Sequence, residues 1–244
     1  MGHGPDGRAH HGDGDAPHRP QRDPVPVECR LLQGRWQDEF SPADTRDRTF
    51  QAPSGPVERP MMSRTGGYGW MRAPGFQAVR LPYRGRRFAM YVLLPDADQG
   101  LAQLRERVTA EAWREWMGGF RPQSVHVVMP RYRLGVSSVL NDPLQAMGMA
   151  DAFVPGRAEL DAMLPAEYVA KNEPYVSNVL QKVFVEVNEE GTEAVAATAV
   201  EVRARGPAPR VREFVVDRPF ILAVRDDQTG ALLFIGQVND PVTQ

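Results

Sequence analysis

Apolar residues along most of this chain fall into short runs, and the spacing of those runs predicts its elements. Ala78 to Tyr83 and Phe88 to Leu94 are runs rich in aromatic or branched residues, separated by the polar stretch Arg84 to Arg87; they predict two strands joined as a hairpin. The period changes at Leu101. Leu101, Leu104, Val108, Ala112, Trp113, Trp116 and Met117 recur at three- and four-residue steps, one helical stripe that Gly118 and Gly119 stop. Ser124 to Leu134 predicts a strand interrupted by Pro130, and Ser137 to Met149 a helix with Asp142-Pro143 in its first turn. Strand patterns return at Tyr175 to Val187, Phe214 to Arg225 and Ala231 to Val238. Strands and helices are neither regularly alternating nor segregated, so the expected class is α+β rather than a wound parallel sheet.

The connection between the strands ending near Val187 and starting near Phe214, EEGTEAVAATAVEVRARGPAPRVRE, is too long for a compact domain unless it has a task or lacks order. Turn formers are absent from Thr192 through Arg205, where Ala, Val and Thr suit a pleated sheet. At period two, one face carries Thr192, Ala194, Ala196, Thr198, Val200, Val202 and Ala204. The other carries Glu193, Val195, Ala197, Ala199, Glu201, Arg203 and Arg205. The first face is small or apolar and the second holds every charge, the pattern of a half-buried strand written into a loop. Inserted as a strand, it would pair its backbone groups and bury the small face. Its fourteen residues would span about 46 Å. A flexible Ala-rich linker accounts for the composition equally well.

Composition and charge narrow the partners. The 244 residues and a formal charge of -2 give no general attraction to nucleic acid or to an anionic membrane, and no apolar run approaches bilayer length. Cys29 is the single cysteine, so no intramolecular disulfide framework exists. Residues 1–26 are mainly Gly, His, Pro, Asp and Arg, a composition that predicts a disordered tail and holds no signal-peptide-type apolar stretch. His3, His10, His11 and His18 could bind a transition metal, but their irregular spacing, with no thiol or acidic ligand placed with them, equally suits a plain tail. From Leu31 to about Pro241 the texture is that of a packed domain without an internal boundary. Catalysis finds no footing: the region has no nucleophile elbow, phosphate-cradling glycine loop or metal-spaced His pair. His126, its one histidine, reads as structural.

EEGTEA at 189–194, followed by Ala and Thr residues, resembles the hinge of inhibitory serpins. The resemblance runs upstream through YVSNVLQKVFVEVNEEGTEA and downstream through FVVDRPFILAVRDDQTGALLFIGQVNDP. In family order it also takes in LLQGRW at 31–36, Pro60-Met61-Met62, LPYRG at 81–85, VLLP at 92–95 and MPRYRL at 129–134, so that it covers about Leu31 to Pro241. It implies a serpin fold of mixed and antiparallel sheets with packed helices and an exposed reactive-centre loop at about 189–213, within a carboxyl-terminal part of a serpin domain at 27–244. It also implies a monomeric, extracellular suicide inhibitor of a serine protease that needs no cofactor or metal.

Counting from Gly191 along the hinge Glu190, Gly191, Thr192, Glu193, Ala194, Val195, Ala196, Ala197 and Thr198, the resemblance puts the bait at Arg205 and the scissile bond before Gly206, with Arg203 next in line. An arginine there suits the acidic pocket of a trypsin-like enzyme. Trp36, Ser177 and Gln181 take the places of the family's breach and shutter, where the sheet opens. The chain departs from the pattern at Glu28, where an Asn is usual, at Gln181, where a His is common, and at Val195, an outward-facing hinge position. The family's amino-terminal helices and first central strands find no match before Leu31, so a serpin fold truncated at its amino terminus is expected. A different class of reading keeps the same residues: a non-inhibitory or inactive serpin fragment, acting only as a protease substrate or binding module.

Overall fold

A computed structural model describes residues 26–28, 34–191 and 210–242 of the chain. The tail up to Val25, Cys29, and the loop positions Thr192 to Thr198, Arg203, Arg205 and Gly206 lie outside the described residues. Pro26–Glu28 forms a short strand, β1. It is followed by β2 (Arg46–Ala52), β3 (Gly55–Ala73), β4 (Phe76–Pro82) and β5 (Phe88–Pro95). Two helices, α1 (Leu101–Glu106) and α2 (Ala110–Met117), precede β6 (Arg121–Pro130) and β7 (Tyr132–Val139). Short helical turns, including α3 (Asn141–Leu144) and α4 (Ala166–Asn172), lead to β8 (Leu180–Val187), β9 (Arg212–Val215), β10 (Phe220–Asp226) and β11 (Leu232–Val238). The chain divides into two units, one of Glu28–Ser138 with Gln181–Gln244 and the other of Met1–Val27 with Val139–Leu180.

The first unit is organised by an eight-stranded sheet in the order β11-β10-β5-β4-β3-β6-β9, with β2 paired to β3. β5 lies inside it, between β4 and β10, and is covered on both faces, which is why its sequence is almost continuously apolar. Period two sends Met90, Val92 and Leu94 into one core with Trp36, Phe50, Met62, Leu81 and Phe220. Ala89, Tyr91 and Leu93 go to the opposite core, which α2 closes with Trp113 and Trp116. The hairpin turn between β4 and β5 is closed by Tyr83 N–H donating to Phe88 O at 3.0 Å, and it places Gly85 and Arg86 at positive φ. β7 and β8 are neighbours in a separate sheet.

The expected α+β class and the hairpin are as found; several element boundaries are not. The stripe from Leu101 to Met117 is two helices rather than one, because Thr109 caps a new start: its hydroxyl accepts from Ala112 N–H at 3.1 Å. Ser137 to Val139 still belong to β7, and the helix expected to run to Met149 is a single turn followed by irregular turns through Gly148, whose φ is +102°. Tyr175 to Val179 are not strand, and Asp217 to Pro219 divide Phe214 to Arg225 between β9 and β10. Within the resembling segment at 31–36, the described part makes two isolated bridges, Arg35 to Gly191 and Trp36 to Tyr83.

Candidate functional site

The chain leaves β8 through Asn188, Glu189, Glu190 and Gly191, and each of these is fastened from elsewhere in the sequence. Asn188 folds the segment back on itself: its Oδ1 accepts from the amides of Glu190 and Gly191, both at 3.1 Å, and its own N–H donates to Gly191 O at 3.0 Å. Glu189 is almost fully buried, with its carboxylate accepting from Thr45 Oγ1 at 2.7 Å and lying 3.6 Å from the Arg131 guanidinium. A buried carboxylate needs such partners, since an unpaired one would be costly to desolvate. The backbone carbonyls of Glu189 and Glu190 accept from Phe40 N–H at 2.8 Å and Trp36 N–H at 2.9 Å.

Trp36 is the centre of this anchor. Its side chain is 1% exposed, stacks on Tyr83 at 4.8 Å between ring centroids, meets Phe40 edge-on, and donates from Nε1 to Asn188 O at 2.9 Å. Tyr83 is set by the closing turn of the β4–β5 hairpin, and Arg84 N–H donates to Arg35 O at 2.8 Å, so the hairpin end positions Arg35 and Trp36. Gly191 has φ +145°, a region glycine alone occupies comfortably, and a Cβ there would overlap the Gly34 carbonyl oxygen. Gly191 is thus the only residue type that lets the chain pass Gly34 and Arg35 so closely.

Downstream, the chain is recaptured as β9, which runs parallel to β6 with Val125 facing Arg212 and Val128 facing Val215. Phe214 and Val216 are fully buried there, and Val216 N–H donates to Val128 O at 2.8 Å. Residues 192–209 therefore join two fixed points: Gly191 beside Arg35, and the strand edge along β6.

The residues singled out from sequence are not brought together. Trp36, Glu190 and Gly191 form one contact cluster at the end of β8. Gln181 is at the opposite end of that strand, six residues before Val187 and about 20 Å away along it. Ser177 belongs to the segment before β8 in the second unit, where its carbonyl accepts from Asn141 Nδ2 at 3.1 Å. Sequence reading missed Asn188 and Glu189 as anchors. An Asn three residues ahead of the Gly that ends a turn was the available signal for the first; the burial of Glu189 depends on Thr45 and Arg131, which no local pattern links to it. Among the described residues no group of three or more His, Cys, Asp or Glu is placed to hold a metal, and no helix is long and apolar enough to cross a membrane.

Comparison with known proteins places these features in a wider set. A family model described as Serpin (serine protease inhibitor) matches residues 20–241. Antithrombin-III of Homo sapiens is 34% identical over 219 residues, which cover 89% of this chain and 47% of that protein. Glia-derived nexin of Mus musculus is 33% identical over 224 residues, 89% of this chain and 54% of that protein. The chain thus spans about half the length of the curated relatives it matches. Among solved structures, a serpin from the trematode Schistosoma haematobium superposes with a TM-score of 0.73 at 24% identity, covering 87% of this chain and 55% of that one.

Proposed function

This chain belongs to the serpin family, and on that premise we propose that it is a serine-type endopeptidase inhibitor whose reactive-centre loop, at about 189–213, offers Arg205 to a trypsin-like enzyme. Residues 27–244 act in this reading as a carboxyl-terminal part of a serpin domain, and the inhibitor is a monomer. The protease attacks the carbonyl carbon of Arg205 and forms an ester to its catalytic serine, and the peptide nitrogen of Gly206 leaves with a proton. Residues 192–204 then enter a sheet as a strand before water completes the hydrolysis.

The observation that carries this reading is the two-point fastening of the loop. Its upstream end continues from β8 through a buried anchor at Trp36 and Gly191, so a freed strand would start from a fixed point. Its downstream end is held by β9 in another sheet. The alternating small face of Thr192 to Ala204 then supplies the side that an accepting sheet can bury. Incubation with trypsin tests the proposal: a covalent adduct that survives denaturing electrophoresis, containing the fragment that ends at Arg205, is the expected result. Clean cleavage after Arg205 with no adduct overturns it.

A second reading, a serpin chain that is only a protease substrate or binding module, is favoured by the exposed apolar side chains of β11 and β8. Ile235 and Phe184 are half exposed, and Leu232 and Leu233 are exposed beside Ile235. Trapping requires strand insertion, and insertion raises the melting temperature of the cleaved protein. An unchanged melting temperature after cleavage at Arg205 selects the second reading.

A further inference from the structure

Beside the point where the loop re-enters the fold lies an open cavity of 380 Å³, walled by Trp70, Arg72 and Gln77 from β3 and β4 and by Arg210, Arg212 and Glu213 from the chain entering β9. We propose that this cavity is a docking subsite for a carboxylate-bearing surface loop of the protease that engages Arg205. The inference rests on the protease-inhibitor reading above and adds to it a second point of recognition on the prime side of the scissile bond.

Three arginines face one glutamate around the cavity, and they are not equivalent. Arg72 is already engaged by Asp96 at 2.8 Å, which neutralises it and fixes the β3 wall. Among the described residues no carboxylate forms an ion pair with Arg210 or Arg212, and both are exposed. The Arg212 guanidinium lies over the Trp70 ring at 4.7 Å from its centroid, and Trp70 is itself oriented by Nε1 donating to Gln77 Oε1 at 3.3 Å. That contact restrains the guanidinium against the ring without using its N–H donors on another described side chain, and a guanidinium with free donors can receive a carboxylate through two parallel hydrogen bonds. Less side-chain entropy remains to be lost on binding than for an arginine free in solvent.

Position makes an enzyme the occupant. Arg210 is five residues after Arg205, no more than about 18 Å of chain. A standard protease–inhibitor contact covers about 800 Å² on each partner, a disc roughly 30 Å across. Any bend in the intervening chain brings Arg210, and Arg212 two residues beyond it, toward the rim of the footprint of a protease seated on Arg205, where charge acts chiefly on the rate of association and its salt dependence. A sulfated polysaccharide is the less suitable ligand, since it needs cations strung along successive sugar units. Here the guanidinium groups converge on one concavity with an aromatic wall.

The test uses the full chain and two probes, an anionic and a cationic trypsin, and follows by mass the second-order rate at which the loop is attacked at Arg203 or Arg205, whether the product is an adduct or a cut chain. Arg210→Glu/Arg212→Glu should lower the rate with anionic trypsin about ten-fold at 50 mM NaCl and less than three-fold at 500 mM, with no loss toward cationic trypsin. The same charge change at Arg157 should leave both rates within about two-fold. Arg210→Glu alone, which lies outside β9, repeats the comparison if the double variant melts at a lower temperature. Equal attack by anionic trypsin on wild type and variants overturns the inference while leaving the inhibitor reading intact, as does retention of the wild type on heparin that the double variant loses without any change in trypsin rate. No attack on the wild-type loop by either enzyme sinks both.

Discussion

Replacing Gly191 by alanine tests the anchor from which the loop departs. At φ +145° an L side chain is strained, by about 1–3 kcal/mol for a residue held in this glycine-only region. The new Cβ would also overlap Gly34 O and sit 2.7 Å from Arg35 Cα, and both obstacles are backbone, so the segments must separate. Separation sacrifices the bond from Trp36 N–H to Glu190 O and weakens that from Asn188 N–H to Gly191 O, at about 1 kcal/mol each. The sum is about 3–5 kcal/mol. With a urea dependence of about 2 kcal/mol per molar, the midpoint should fall by about 1.5–2.5 M. Trp36, Trp70, Trp113 and Trp116 all lie in the same unit, so their fluorescence reports its unfolding directly. Gly85→Ala is the control: its φ is +79°, but nothing stands within 4 Å of a Cβ there, so only the conformational strain of about 1 kcal/mol should appear. Equal losses in the two variants, or a Gly191→Ala change below about 0.5 kcal/mol, would refute the close-approach argument.

Two further outcomes follow from buried polar contacts. Trp36→Phe deletes the donor to Asn188 O while keeping an aromatic ring against Tyr83, and should cost about 1–3 kcal/mol in urea unfolding, with faster hydrogen exchange at the Glu190 and Gly191 amides; unchanged exchange there would mean that Trp36 does not hold the segment. At Asp226, two hydrogen bonds from Arg87, at 3.1 and 2.9 Å, outweigh burial and hold the carboxyl down to about 2. A depressed folded value stabilises in full above about pH 4, where the unfolded carboxyl is ionised, and that contribution is lost as pH falls toward 2. Melting temperatures measured between pH 5 and pH 2 should therefore fall less steeply in Asp226→Asn than in wild type, and parallel slopes would exclude this pair as a source of acid sensitivity.

What the sequence made legible depended on where a segment's partners lie. β5 could be read because a strand covered on both faces is apolar at nearly every position, whatever lies beside it. β3, at Gly55–Ala73, resisted the same reading: Pro56, Pro60, Gly66, Gly67 and Gly69 are poor strand residues, and the strand exists because β2, β4 and β6 pair along its length. The break between α1 and α2 hid inside an unbroken apolar stripe, because a cap at Thr109 changes backbone direction without changing which residues are apolar. In the site, the hinge motif at 189–194 was visible as a motif, whereas its anchor was not. Trp36 and Asn188 are 152 positions apart, and only the hairpin end at Tyr83 and Arg84 brings them together.

The two ends of the loop are fastened in unlike ways, and this difference bears on what a cut would do. Upstream, a single bridge to Arg35 and the turn at Asn188 fix Gly191, and the chain beyond it has the small, alternating face of a strand. Downstream, β9 is paired with β6 over four residues and pinned by the buried Phe214, and six residues, Gly206, Pro207, Ala208, Pro209, Arg210 and Val211, separate it from Arg205. Two of those six are proline and one is glycine, all within the four residues next to the bond, so that side is poor in both the donors and the side chains of a strand. On the proposed function, cleavage after Arg205 therefore leaves the downstream arm held by β9 and frees the upstream one, which has the pattern to enter a sheet as a new strand, and the protease, joined through its ester to Arg205, is on that arm. The direction in which the enzyme travels is set by composition on one side of the bond and by the hold of β9 on the other.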